Sequence, residues 1–207
     1  MDESVRNALA SDATGLKILD AAMQVLIDFG FKRATVELVA KTAGVAHTTV
    51  YRRWPTRDDL LRTAVLRELN GVMGAAFGAV DGAKSFDDKV LTAFVEVVWS
   101  IHTHPLMARE LRTEPEQALP LLTTASATLL PGALGYVAQR LHDIAAASGV
   151  ELDDPESLAD VLVRLAHSLV LMPNPDRPLG SRTDVDDYVR RYLTPLTRSA
   201  VTATIGS

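Results

Sequence analysis

The chain has 207 residues, of which 47% are hydrophobic and 23% charged, and this composition is ordinary for a globular protein. It contains no cysteine, which excludes disulfides, thiolate metal sites and a cysteine nucleophile. The net charge is −5, but the segment from Lys32 to Arg57 holds six basic residues and one acid, so it carries +5 and the remainder −10. A basic segment on an acidic chain suits a protein that touches a polyanion with one end, although chance clustering gives the same pattern.

No stretch approaches the roughly 18 uninterrupted apolar residues of a membrane helix. The opening MDESVRNALASDATG carries acids in place of a basic flank and has no apolar centre. We therefore expect no signal peptide, no membrane partner and a cytoplasmic protein.

The first predicted helix follows a tail over residues 1–12 that we expect to be disordered. Its apolar residues recur at the spacing of an amphipathic helix, and Gly30 is its predicted end. These apolar residues are Ile18, Ala22, Val25, Leu26 and Phe29.

Two short helices are predicted next. Thr35 stands where the N-cap of the first belongs, and Gly44 suits the left-handed residue that stops it. The second covers roughly residues 46–53. Thr56 then caps a fourth helix, with Asp59 as a capping-box partner.

The fourth helix is predicted from Arg57 to about Val80. Gly71, Gly74 and Gly78 weaken its second half by about 1 kcal/mol each relative to alanine. These glycines suit either a close helix contact or a frayed end.

Helices account for nearly all of the remaining chain, and no strand alternation is evident. Proline recurs at the first position of four of them, where its missing N–H is harmless. The predicted helices cover 86–103, 105–112, 115–128, 131–148, 155–172 and, after a proline-rich loop over 173–182, 184–196. We therefore predict an all-α fold, with a three-helix helix-turn-helix DNA-binding domain over 13–57 and a helical effector-binding and dimerisation domain over 58–207.

The two short helices and their glycine turn have the geometry of a helix-turn-helix, whose second helix enters the major groove of DNA. Val45, Val50 and Trp54 supply the buried side of this second helix. The outward side chains can donate hydrogen bonds to phosphates or base edges, although a merely solvated basic helix is the alternative. They are His47, Thr48, Thr49, Tyr51, Arg52 and Arg53.

This segment resembles the signature of the TetR (tetracycline-repressor) family of bacterial regulators. The resemblance covers about residues 16–65, and the rest of the chain matches only in being an all-helical domain of suitable length. The matching residues are Phe29, Gly30, Thr35, Val39, Ala40, Ala43, Gly44, Val45, Thr49, Val50, Tyr51, Trp54, Thr56, Arg57 and Leu60.

The resemblance implies that Thr35 contacts a phosphate at the start of its helix, where the helix dipole favours anions, and that Arg57 clamps the DNA backbone. Arg57 replaces a more usual lysine, and Ala46 stands where the family usually has a serine that caps the recognition helix. The resemblance also implies groove contacts by His47, Thr48, Thr49 and Tyr51, with Arg52 and Arg53 at contact positions that vary within the family.

The helix predicted over 155–172 is apolar nearly all round, so both of its sides should be covered. In a chain of this size a second subunit is the simplest cover. With the helix over 131–148 it would form a two-fold four-helix interface, as the resemblance also implies. Burial inside the monomer is the alternative. A two-fold homodimer matches a palindromic double-stranded DNA operator.

A small apolar or amphipathic effector is the second predicted partner. The helix over 86–103 carries a core stripe and a second apolar line that could face a pocket, although ordinary core packing explains each residue as well. His102 and His104 are two residues apart, so on a helix they point to different faces and we predict no metal site and no cofactor. The candidate ligand-binding residues are Phe94, Trp99, His102, Met107, Leu111, Tyr136 and His167.

An enzyme finds little support, because the sequence has no phosphate-binding glycine loop, nucleophile elbow or zinc-protease motif. We predict a ligand-responsive transcription regulator that is a repressor released from its operator by a small molecule. The alternatives are an activator or a ligand-independent regulator of the same fold, or a helical protein-interaction module.

Overall fold

A computed structural model describes residues 12–80, 82–113, 130–172, 174, 176 and 179–204 of the chain. These residues form helices and one two-stranded ribbon, which confirms the predicted helical class. The helices are α1 (Ala13–Arg33), α2 (Val36–Ala43), α3 (His47–Tyr51), α4 (Arg57–Gly78), α5 (Phe86–Thr103), α6 (Pro105–Thr113), α7 (Leu130–Ser148), α8 (Pro155–Leu171) and α9 (Arg182–Ser199), and the strands are β1 (Val150–Leu152) and β2 (Val201–Thr204).

The described residues fall into two compact units. The first unit holds 12–71 and 104–113, and the second holds 72–80, 82–103 and the described residues from 130 to 204. The division falls inside α4, after Gly71, and α6 belongs with the N-terminal helices. The predicted domain boundary between residues 57 and 58 stays a prediction.

The core of the first unit is built from the apolar faces of α1 to α4. Ile18, Leu26, Val39, Val50 and Leu60 are each fully buried. Burying one such side chain contributes about 1.5–3 kcal/mol. Leu106 of α6 belongs to the same cluster, which explains why this later helix is part of the unit.

The predicted helix caps of the first unit are confirmed. Thr35 Oγ1 accepts the N–H of Leu38 at 3.1 Å, and Gly44 adopts the left-handed conformation with φ of 61°. Thr56 Oγ1 accepts the N–H of Asp59 at 3.1 Å and donates to the carboxylate of Asp59 at 2.6 Å.

Among α1 to α4, three helices end at other residues than predicted. α1 continues past its predicted end to Arg33, with Gly30 as a non-helical interruption. α3 is shorter than predicted and spans only His47–Tyr51. α4 runs to Gly78, and nothing in the described structure lies within 4 Å of a Cβ built on Gly71, Gly74 or Gly78, so these glycines neither end the helix early nor serve a close contact there.

In the second unit α8 packs on α7 and α5, and α9 packs on α5. Three arginines of α9 pair with three acids of α5. Arg190 lies 2.7 Å from Asp88 and Arg198 lies 3.1 Å from Asp87, while Arg182 pairs with Glu96. We call these three pairs the ion-pair ladder.

The ribbon is the main element that the sequence did not predict. β1 and β2 pair antiparallel, with Val150 opposite Thr204 and a bulge between Glu151 and Leu152. Strands this short carry too few residues to show an alternating pattern.

The last helix is longer than the predicted 184–196, because Ser181 and Asp184 form a capping box that starts it at Arg182. The helix predicted over 115–128 lies outside the described residues. So does the predicted tail except for Asp12, which caps α1 by accepting the N–H of Gly15 at 2.7 Å. In the described parts of the chain, no helix combines the length and hydropathy needed to cross a membrane.

Candidate nucleic-acid interface

The turn between α2 and α3 is closed by backbone hydrogen bonds. The N–H of Gly44 donates to the carbonyl of Lys41 at 3.1 Å, and that of Val45 donates to Ala40 at 3.0 Å. Only a residue without a Cβ adopts the left-handed conformation of Gly44 at little cost. Lys17 Nζ lies 3.6 Å from the place of a Gly44 Cβ, so an exposed cation sits beside the turn. Lys17 is not predicted from the sequence, because it precedes the basic segment by 15 positions.

Helix α3, the predicted recognition helix, is anchored on one side and exposed on the other. Val50 is fully buried and Trp54, just after the helix, is 9% exposed. Tyr51 is 38% exposed, and its ring contacts that of His47 edge-on with centroids 4.8 Å apart. Of the predicted outward residues, His47, Thr48, Tyr51 and Arg52 are exposed and Thr49 and Arg53 are half-buried. Their contact with DNA stays a prediction.

The two adjacent arginines after α3 have different surroundings. Arg52 is exposed, and no ion pair to it occurs in the described residues. Arg53 bonds both oxygens of the Asp12 carboxylate, at 2.9 and 2.6 Å. These bonds and the N–H of Gly15 hold the pKa of Asp12 below its usual value. Arg52 is therefore the more available cation for a phosphate.

Thr35 and Arg57, predicted to touch the DNA backbone, both have partners within the protein. The Thr35 hydroxyl caps α2 and remains exposed. Arg57 Nε donates to the carbonyl of Ala34 at 2.6 Å, and its guanidinium also bonds the carbonyl of Phe31 and the carboxylate of Asp58. Arg57 thus ties the start of α4 to the end of α1, and its predicted role as a DNA clamp is untested.

Glu110 of α6 lies against the backbone of α1 at Gly30, where the helix is interrupted. Gly30 has φ of 77° and ψ of 170°, a conformation open essentially to glycine alone. A Cβ at this position would lie 2.7 Å from Glu110 Oε1. Glu110 is only 2% exposed, and Oε1 accepts the N–H of Phe31 at 3.3 Å. α6 is therefore in direct contact with the last turn of the first helix.

Two further features surround α3. Ala46 occupies its N-cap position with φ of −68° and ψ of 140°, and makes no side-chain capping bond. This agrees with the family departure noted in the sequence. Glu37 lies 3.8 Å from His47, so the one acid of the basic segment is beside the exposed face.

The residues predicted to bind a ligand are dispersed. Phe94 is buried in α5. Trp99 is half-buried and its ring stacks on that of the exposed His102, with the ring centroids 6.0 Å apart. The ring centroids of Tyr136 and Phe77 lie 5.9 Å apart, and the guanidinium of Arg140 lies 5.8 Å from the ring centre of Tyr136. Half-buried His167 has its pKa lowered by burial. Met107 is half-buried in the first unit, and the side chain of Leu111 lies outside the described structure.

None of the six residues with described side chains lines either of two cavities in the second unit. One, of about 240 Å³, lies among the end of α4, α5 and α7. The other, of about 250 Å³, lies between α8 and α9. Within the described ranges there is no group of three side chains that could hold a metal ion.

Two family models match the chain. The model described as "Bacterial regulatory proteins, tetR family" matches residues 18–64, which contain α2 and α3. The model described as "Bacterial Tetracyclin repressor, C-terminal domain" matches residues 87–191. The second match alone covers more than half of the chain.

Curated relatives agree with this assignment. An uncharacterized HTH-type transcriptional regulator of Bacillus subtilis, YhgD, is 24% identical over 85% of this chain and 92% of its own length. The HTH-type transcriptional repressor LfrR of Mycolicibacterium smegmatis is 39% identical over 42% of this chain and 44% of its own length.

Solved structures share the fold. The TetR family repressor AlkX from Dietzia, described as implicated in biodegradation of n-alkanes, superposes with a TM-score of 0.67 at 17% identity over 91% of this chain and 97% of that chain. The fatty acid degradation regulator FadR from Bacillus halodurans superposes with a TM-score of 0.61 at 20% identity, over 89% and 95%. At these identities the likeness concerns the fold alone. With the family models and the relatives, it establishes that this chain belongs to the TetR family of helix-turn-helix transcription regulators.

Proposed function

We propose that the chain is a repressor that binds a palindromic operator as a homodimer and is released from it by a small molecule. The single observation that carries the DNA-binding part is the exposed face of α3, held outward by buried Val50. The name of LfrR, a repressor, supports the direction of regulation.

Tyr51 and Arg52 are the residues on which DNA binding should depend most. Tyr51 is held in place by its ring contact with His47, and Arg52 has no carboxylate partner in the described residues. An arginine can bond a phosphate or a guanine edge, and a tyrosine hydroxyl can bond a phosphate. Removing either group should therefore cost about 1–3 kcal/mol of binding free energy.

A fluorescence-anisotropy titration on the protein's own promoter region tests this role. Tyr51→Ala and Arg52→Ala should each weaken binding by about fivefold or more at fixed salt. Lys84→Ala, which removes an exposed cation of the second unit, is the control and should leave affinity unchanged. Circular dichroism shows whether each variant retains its helices. Unchanged affinity of both α3 variants would contradict the assignment.

The dimer interface is proposed on exposed apolar side chains of the second unit. Val161 and Leu165 of α8 are 38% and 36% exposed, so this side of α8 is uncovered in the single chain. The sequence prediction paired 155–172 with 131–148. However, α7 exposes only small or polar described side chains, whereas Tyr192 of α9 is 51% exposed. The exposed surface favours α9 over α7 as the second helix of the interface.

Sedimentation equilibrium on variants tests whether α7 or α9 joins α8 in the dimer interface. Leu165→Glu should shift the protein toward monomer, because it places a charge in an apolar interface. Tyr192→Glu should do the same if α9 contributes, and Gln139→Glu on α7 should not. If Gln139→Glu dissociates the protein and Tyr192→Glu does not, the interface uses α7 as the sequence prediction had it.

For release, we propose that a ligand favours a protomer arrangement in which the two recognition helices are mis-spaced for the operator. The contact of Glu110 with Phe31 adds α6 to α4 as an element that touches the DNA-binding helices. A thermal-shift screen with and without operator DNA tests the mechanism. A stabilising ligand must lower operator affinity by the same factor by which DNA lowers ligand affinity.

A further inference from the structure

The cavity among the end of α4, α5 and α7 is lined by both apolar and charged side chains. Phe77, Val80 and Ile144 are among the residues that form the wall. Lys89 and Arg140 also line the cavity, together with Asp143. Two cations and one acid leave the lining with one excess positive charge. A neutral apolar ligand would have no use for this charge.

Lys89 is held in place without an acidic partner. Its ammonium group donates to Ser148 Oγ at 3.3 Å, and in the described part of the chain no carboxylate pairs with it. An ammonium group has three donors, so most of its hydrogen-bonding capacity is left for another acceptor.

Arg140 supplies a second donor with an unmet requirement. One of its terminal nitrogens pairs with Asp143 at 2.7 Å, and its guanidinium lies 5.8 Å from the ring centre of Tyr136. Its Nε is buried and has no acceptor among the described residues. Because a buried N–H without an acceptor costs free energy, a ligand oxygen that reached this nitrogen would be stabilised there.

We infer that this cavity binds a small amphipathic carboxylate. Its anionic head is received by Lys89 and Arg140, and its apolar body lies against Phe77, Val80 and Ile144. The volume of about 240 Å³ suits a body of roughly the size of a medium-length acyl chain. The inference deepens the proposed function, on which its regulatory meaning rests, because it assigns the effector a chemical class and a place away from most residues named from the sequence.

Binding of sodium octanoate, measured by isothermal titration calorimetry on the full chain, tests the inference. Octanamide has the same chain and no charge, and should bind about tenfold more weakly or not at all. Lys89→Met and Arg140→Gln should each weaken octanoate binding by about tenfold and leave the weak binding of octanamide unchanged.

Lys84→Met is the matched control, since Lys84 is an exposed lysine of the loop before α5 that does not line the cavity. It should bind octanoate as the wild type does. Thermal unfolding without ligand shows whether each variant is folded. If Arg140→Gln unfolds, Lys89→Met alone decides. Equal binding of octanoate and octanamide, or wild-type octanoate affinity in Lys89→Met, would overturn the inference.

DNA binding separates this inference from the proposed function. If octanoate binds and Lys89→Met abolishes it, the site stands even where the operator complex ignores octanoate, and only ligand-controlled release fails. If octanoate does not bind but the protein holds its operator, the site is wrong and the DNA-binding function stands.

Discussion

The two compact units differ in how far apart in the sequence their stabilising partners lie. In the first unit the helix ends are fixed by neighbours three residues away, as at Thr35 with Leu38 and Thr56 with Asp59. In the second unit, α9 is held to α5 by charge pairs whose members are 86 to 111 residues apart. The comparison shows that the caps of α2 and α4 are specified by near neighbours in the chain, whereas the packing of α9 on α5 depends on pairing between distant segments.

The largest expected change in stability is at Gly30, where the first unit depends on a contact with a residue distant in the sequence. Gly30→Ala should destabilise the first unit by about 3 kcal/mol, because it combines a disfavoured φ with a contact of 2.7 Å to Glu110. Gly74→Ala, on open helix surface, should instead stabilise by up to about 1 kcal/mol. Urea unfolding of both variants measures the difference, and equal effects would contradict the assigned role of Gly30.

The ion-pair ladder should show a smaller, salt-dependent effect. Arg190→Met removes bonds to Asp88 and Asp186 from a side chain that is 39% exposed. Solvent screening limits the expected loss to about 1 kcal/mol, decreasing as salt rises. Arg164→Met, whose partner Asp160 is on the same helix, is the control and should lose less. Thermal unfolding at low and high salt compares them, and a loss independent of salt would rule out an electrostatic origin.

Adding the missing side-chain cap at the start of α3 should stabilise the first unit. Ala46 already has the extended backbone of an N-cap residue but no side-chain acceptor. Ala46→Ser should therefore stabilise the unit by about 0.5 kcal/mol. Urea unfolding measures the gain, and Ala46→Val, which lacks the hydroxyl, should not reproduce it.

The smallest effect concerns the pair of Asp12 and Arg53. Because the bond from Arg53 lowers the pKa of Asp12, its carboxylate stabilises the fold above the ordinary value of 3.8 and this contribution is lost as the pH falls below it. Asp12→Asn should accordingly be less stable than the wild type near neutral pH, with the difference vanishing in acid. Unfolding midpoints across pH measure this, and a difference independent of pH would exclude the charge as its cause.

The sequence was sufficient for features that depend on neighbours in the chain. The cap at Thr35, the left-handed Gly44 and the outward side of Tyr51 follow from propensity and periodicity, and the structure has all three. The family resemblance drawn from these residues is confirmed by the family models.

Features that depend on distant residues were not predictable in this way. The bonds of Arg53 to Asp12 and of Glu110 to Phe31 join positions 41 and 79 residues apart. No spacing rule within one helix points to such partners. The same holds for the cavity at Lys89 and Arg140, which come from different helices.

The ribbon of β1 and β2 has a consequence for how the second unit opens. It joins the residues before α8 to those after α9, and the N–H of Asp153 adds a further bond to the carbonyl of Ala200 at 3.0 Å. The ribbon thus joins the two ends of the segment that contains α8 and α9. Because both ends are held, either helix would gain less conformational entropy on detaching. Amide protons of α8 and α9 should therefore exchange with solvent as one cooperative group.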